Sequence, residues 1–185
     1  MASKAVQDDT GEKETPRKRY AVIRIRGRVG LRKDKIDTLK FLRLHRKNHV
    51  VIIDDRASYR GMLQTAKDYI TWGEVGPETI ALLLKKRGAL KGGIRITDAF
   101  VKKYTPYENI DKFAEAIANF NAELSDIKQL QPLFRLPPPK GGFEGKIKRP
   151  VHDHGELGYR GAAIEDLIRK MVLGRKQKDD SSKKE

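Results

Sequence analysis

Residues Leu133 to Pro150 read Leu-Phe-Arg-Leu-Pro-Pro-Pro-Lys-Gly-Gly-Phe-Glu-Gly-Lys-Ile-Lys-Arg-Pro. The three consecutive prolines, Pro137 to Pro139, exclude a helix, because proline has no N–H and its ring clashes with the preceding turn. The stretch has too few apolar side chains for a core of its own. It is not a terminal tail either, because an amphipathic run follows at Ile164 to Val172. A long, basic, irregular segment inside a folded chain needs a partner to order it. Phosphates fit, since backbone N–H groups and cationic side chains both point at anions.

The charge balance agrees. Forty Lys and Arg stand against 25 Asp and Glu, a net charge of +15. Such an excess favours polyanions, because binding releases their condensed counterions. The excess is also lopsided: Arg17 to Lys47 holds 13 basic residues against only Asp34 and Asp37. A charge-rich surface serving stability alone would mix the two signs.

Other classes are excluded or discounted. With no cysteine, disulfides, thiolate zinc sites and cysteine nucleophiles are absent, which fits a cytoplasmic protein. No apolar run approaches the roughly 20 residues that span a bilayer, so no membrane partner is expected, and the polar N-terminus has no hydrophobic signal region. Residues 1–18 and 174–185 hold little to bury and read as disordered N-terminal and basic C-terminal extensions.

Between them, periodicity suggests an ordered β-α-β-α-β run over 19–75. Tyr20–Arg26 alternates: Ile23 and Ile25 form one face, and Val22 with Arg24 and Arg26 the other, so one face should be core and the other cationic. A helix follows near Asp34, then a β-branched strand at Val50–Ile53, a helix from Ser58 to Lys67 capped by Ser58, and a strand at Tyr69–Val75. Residues 76–173 form a helical and loop extension. Pro77 opens one helix and Gly88 stops it; a short helix is capped by Thr97. Others are expected at Ile110–Leu124 and Ala163–Leu173. They bury too little to stand alone and should pack back on the first sheet.

Several local patterns invite chemistry. Lys140-Gly-Gly-Phe-Glu-Gly-Lys146 fails the P-loop pattern, because Lys140 stands where Gly is required and Ile147 where Ser or Thr is. It is better read as backbone that lies close to a sugar-phosphate chain, with Lys140, Lys146, Lys148 and Arg149 as its charges; a loop packed on its own domain is the plainer alternative. His152-Asp-His154 with Glu156 is a weak metal pattern, and histidines contacting RNA or exposed to water explain it better. Gly27-Arg-Val-Gly30 has the GXXG form but lies between a strand and a helix, so it reads as a turn. Asp54 and Asp55 pair with Arg56 or Arg60 more readily than they do acid–base work. Tyr59 and Arg60 at a helix start suit a phosphate or base, or else Tyr59 and Met62 are core and Arg60 pairs with Asp55.

Together these residues resemble a known family. Ala21-Val-Ile-Arg-Ile-Arg-Gly27, Ser58-Tyr-Arg-Gly-Met62, Trp72-Gly-Glu74 with Glu78-Thr79, and Phe134-Arg-Leu-Pro-Pro-Pro-Lys-Gly-Gly142 carry the likeness, completed by Gly145, Lys148-Arg-Pro150 and Gly155-Glu-Leu-Gly158. Tyr20 to Val172 is similar to the archaeal large-subunit ribosomal proteins of the L-thirty family, whose eukaryotic counterpart is the L-seven protein. The resemblance implies an α+β fold: a three-stranded antiparallel sheet with the first strand central and two helices on one face, somewhat ferredoxin-like, followed by an extension with a long Pro/Gly-rich basic loop. It implies a structural role in binding and stabilising large-subunit rRNA beside neighbouring ribosomal proteins in the cytoplasm. No catalytic residue, metal, cofactor or small-molecule substrate is implied. The RNA contacts would be Arg24 and Arg26 on the first strand; Arg28, Arg32 and Lys33 in the turn after it; Tyr59 and Arg60; and, in the Arg135–Arg160 loop, Arg135, Lys140, Lys146, Lys148, Arg149, His152, His154 and Arg160. Competing readings are a free-standing RNA chaperone or RNA-processing subunit, and a metal-dependent enzyme using Asp54, Asp55 and the His152–Glu156 cluster.

Overall fold

The structure, a computed structural model, describes residues 18–173. Strand β1 (Arg19–Arg24) lies between β2 (His49–Asp54) and β3 (Ile70–Glu74) and is antiparallel to both. The intervening helices are α1 (Lys33–Phe41) and α2 (Ala57–Ala66). Asp34 in the first turn of α1 and Lys40 in its last complement the helix dipole. Ser58 is already inside α2, which starts after Arg56 without a side-chain cap; Thr97 likewise makes no side-chain cap bond to its helix.

The extension runs α3 (Pro77–Arg87), α4 (Asp98–Tyr104), α5 (Ile110–Ala118), β4 (Phe134–Arg135), β5 (Lys146–Pro150), β6 (Gly155–Tyr159) and α6 (Ile164–Val172). Helix α5 stops six residues before the expected Leu124, since the chain turns left-handed at Phe120 (φ 62°). The α+β class is as expected, but the sheet is not three-stranded. It is mixed and six-stranded, in the order β4-β2-β1-β3-β6-β5. Strand β4 pairs antiparallel with β2, and β6 lies parallel to both β3 and β5. The segment 133–159 is thus no continuous irregular loop: it supplies β4, β5 and β6, and strands from both sides of residue 75 share one sheet. The expectations for residues 1–18 and 174–185 concern residues that, Lys18 aside, lie outside the described ones.

The β1–β3 part of the sheet is covered on both faces. Val22, Val51, Ile53 and Ile70 pack with Leu39, Leu42, Leu63 and Ala66 of the α1–α2 side. Ala21, Ile23 and Val50 pack on the other side with Ile80, Leu83 and Leu84 of α3, Phe113 and Ile117 of α5, and Ile164, Ile168 and Met171 of α6. Each large side chain so buried contributes roughly 1.5–3 kcal/mol. The later helices do pack back on the first sheet. Their junction with it is close: a Cβ at Gly73 in β3 would sit 2.0 Å from the Gly161 carbonyl oxygen, so only glycine lets the chain before α6 rest on that strand.

Candidate nucleic-acid interface

Covering both faces of β1 changes the role of its arginines. Arg24 is not on a cationic face. It is 3% exposed, and its guanidinium donates to the carbonyls of Arg26 (2.9 Å), Gly27 (3.0 Å), Leu44 (2.7 Å) and His45 (3.1 Å). It ties the turn after β1 to the α1–β2 connection. Burial, and secondarily Arg28, hold its pKa below the usual arginine value, but a guanidinium stays charged at any working pH. Past Gly27 the turn emerges into solvent: Arg28, Arg32 and Lys33 are exposed, and the Val29 side chain is fully so.

The start of α2 has the contacts of the second reading, while Arg60 itself stays exposed. Tyr59 and Met62 are half-buried against the α1–α2 core. Arg60 grips Asp55 through Nε–Oδ1 (2.5 Å) and Nη2–Oδ2 (2.7 Å), and Arg60 leads the causes that draw the Asp55 carboxyl below its ordinary pKa. Asp54 pairs with Arg19, and with Arg56 at 2.9 Å. Both acids are therefore held by arginines, as turn-end acids are.

In the Pro/Gly-rich stretch, Lys146, Lys148 and Arg149 lie exposed along β5 at the sheet edge, and Arg149 reaches Asp153 at 3.2 Å. Lys140 is exposed beside Gly141 and Gly142, both at positive φ. Arg135 is exposed on β4 opposite His49. His152 and His154 are exposed, whereas Glu156 is buried, accepting the Gly145 N–H (2.6 Å) and pairing with Arg160. The Arg160 Nε is buried without a partner. Arg160 is thus a structural cation inside the fold. Among the described residues no group of three His, Asp or Glu is placed to hold a metal ion.

Pairing β6 with β3 aligns Thr71 with Gly158 and Trp72 with Tyr159. The Thr71 hydroxyl donates to the Gly158 carbonyl (2.9 Å) and the Arg160 N–H to the Trp72 carbonyl (2.8 Å). Gly158 sits at φ 94°, a conformation a side chain would strain. This arrangement opens a cleft of about 670 Å³ whose walls hold Arg26, Lys148 and His152, three expected contacts from two distant parts of the chain. It also holds residues that periodicity did not flag: Tyr69, Trp72, Tyr159 and Lys67. Arg26 stacks over Tyr69 at 4.8 Å and donates to the Asp68 carbonyl (3.1 Å). The Trp72 and Tyr159 rings stand 6.4 Å apart, tilted by 51°. Tyr159 is 53% exposed, and its hydroxyl donates to Glu74 (3.1 Å). Burial, then that carboxylate, raises its pKa, so the ring stays a neutral phenol. The one acid in the cleft wall, Asp68, is paired with Lys35 at 2.8 Å. Aromatic faces among cations suit a nucleic acid more than an apolar ligand.

Residues 20–70 match the family model described as ribosomal protein L30p/L7e. The chain is 55% identical over 149 residues to the large ribosomal subunit protein uL30 of Methanopyrus kandleri, covering 80% of this chain and 100% of that one. It is 49% identical over 153 residues to the protein of the same name from Methanosphaera stadtmanae, with 83% and 99% covered. Against that of Archaeoglobus fulgidus it is 47% identical over 152 residues, with 82% and 99% covered.

Proposed function

The chain belongs to the ribosomal protein L30p/L7e family and is a structural, non-enzymatic constituent of the large ribosomal subunit; we propose that it binds and stabilises that subunit's rRNA through two exposed cationic surfaces. One is the Arg28–Lys33 turn. The other is the β5 edge with Lys146, Lys148 and Arg149, joined by Lys140; Arg135, on β4 at the opposite edge of the sheet, would be a separate contact. Both would act mainly on phosphates, which fix position rather than read sequence. The observation that carries this reading is the β3–β6 pairing, which puts Lys148 and His152 in one cleft with Arg26. Arg24 and Arg160 are left out of the proposed contacts, since each is largely buried and holds the fold through internal bonds; Arg60, paired with Asp55 but exposed, stays a proposed contact. Residence in the cytoplasm and contacts with neighbouring ribosomal proteins belong to the same proposal. No observation favours a free-standing RNA chaperone.

Sedimentation of a lysate at moderate and high salt tests it. The chain should travel with the large subunit and leave when salt is raised. Replacing Lys146, Lys148 and Arg149 together by Ala should lower the slope of log affinity against log salt by roughly 2–3 for purified chain and rRNA. An unchanged slope would remove the β5 edge from the interface, and a chain that stays at the top of the gradient while binding many RNAs equally would refute the ribosomal role.

A further inference from the structure

The cleft between β3 and β6 has features that phosphate binding does not use. Phosphates need cations and N–H donors; they do not need an exposed aromatic face. Tyr159 nevertheless presents its ring to solvent, held in place by the Glu74 hydrogen bond and flanked by Trp72. The volume, about 670 Å³, is within the range of small-ligand clefts, roughly 300–1,000 Å³. Lys67, Lys148 and Arg26 stand in its walls, so a stacked ring would have cations beside it for its own backbone. A second cleft, of about 340 Å³, lies where Arg19, Asp54 and Arg56 meet, but Asp54 bridges those two arginines and ties both into ion pairs.

We infer that the cleft receives one unpaired nucleotide of the bound RNA, its base stacked on Tyr159 beside Trp72 and its phosphate against Lys148 and Arg26. This rests on the rRNA-binding reading and adds a base-accepting site to it. A base held in a helix cannot present its face to the ring, so the cleft selects single-stranded or extruded nucleotides. It does so without choosing sequence, since every base has a π-face.

Trp72 is the only tryptophan, so its fluorescence reports on this cleft alone. The full chain is titrated with a single-stranded oligoadenylate of roughly a dozen nucleotides and, separately, with a blunt RNA duplex. The oligoadenylate should quench Trp72 and the duplex should not. Tyr159→Ala should weaken oligoadenylate binding about five-fold or more and leave duplex binding unchanged, which also reports an intact fold. Tyr159→Phe, which keeps the stacking ring and loses only the Glu74 hydrogen bond, should retain most of the oligoadenylate affinity that Tyr159→Ala loses. If both RNAs bind with the usual salt dependence while Trp72 stays silent, or if the duplex quenches equally, the base site is wrong and the rRNA-binding reading survives. If Tyr159→Ala weakens both RNAs equally, the base site is also wrong. If neither RNA binds, both readings fall.

Discussion

Arg24 and Arg28 lie four residues apart, and the structure leaves them in opposite settings, the first buried and the second exposed. Replacing Arg24 by Met keeps most of the side chain's bulk and removes four donors. The Leu44 carbonyl, bonded at 2.7 Å in a buried setting, would then lack its partner at about 1–3 kcal/mol. The other three carbonyls are partly reachable by water and cost about 0.5–1.5 kcal/mol each. Against this, the desolvation penalty of a buried cation is relieved. The net loss comes to roughly 2–4 kcal/mol, a large share of a typical stability of about 5–15 kcal/mol. At about 2–4 °C per kcal/mol for a chain of this size, Arg24→Met should lower Tm by about 5–15 °C in a thermal melt. Its salt slope for RNA, measured where the variant is folded, should not change. Arg28→Ala should do the reverse, shifting stability by about 0.5 kcal/mol or less and lowering the slope by about 1. An Arg24→Met protein that melts within ~2 °C of the unmodified chain, or whose slope falls by about 1, would refute the assignment of Arg24 to the fold.

Two further outcomes are expected. His49 is 7% exposed, and burial, with Arg135, His45, Arg46 and Arg24 nearby, lowers its pKa from 6.5 to about 4. The unfolded chain takes up this proton first, so stability should be full above about pH 6.5, fall as pH drops toward 4 by roughly 3 kcal/mol at most, and then level off. Denaturant midpoints across that range should flatten in His49→Phe, and an equally steep fall in that variant would place the titration elsewhere. Arg160→Met leaves the buried Glu156 carboxylate without its cation and should cost roughly 3–5 kcal/mol. Adding Glu156→Gln, which keeps an acceptor for the Gly145 N–H, should recover most of it, whereas strictly additive losses in urea melts would show that the two groups do not act as a pair.

Periodicity was enough for the first half of the fold. Alternation at Tyr20–Arg26, the β-branched run Val50–Ile53 and the helical stripes place β1 through β3 and the helices near their observed positions. It failed at β5 and β6 because Lys146, Pro150, Gly155 and Gly158 carry no alternating apolar face. Their extended shape comes from pairing, β6 beside β3 and β5 beside β6, which local sequence does not encode. The same gap hid the cleft: Tyr69, Trp72 and Tyr159 are isolated aromatics until the Trp72–Tyr159 register joins them. Arg24 and Arg26 look alike in sequence, and only the packing of α1 and the chain after it on the outer face separates a buried arginine from a half-exposed one. Asp54 and Asp55 were read more successfully, because strand-end acids next to arginines have few other partners.

The order of the sheet has a consequence for solubility. An open sheet ends in unpaired backbone groups, and a bare edge recruits strands from other molecules. Here β2 is closed off by β4, only two residues long. At the far end β5 is short, irregular in register and made of Lys146, Ile147, Lys148, Arg149 and Pro150. Lysines, a proline and a bulge are the devices that keep an edge from templating another strand. The charges proposed to grip RNA therefore also shield the sheet before any RNA arrives. A newly made chain must outlast the interval between synthesis and assembly, and neutralising that edge would weaken it during this wait, in the free pool, before any defect could appear in the finished particle.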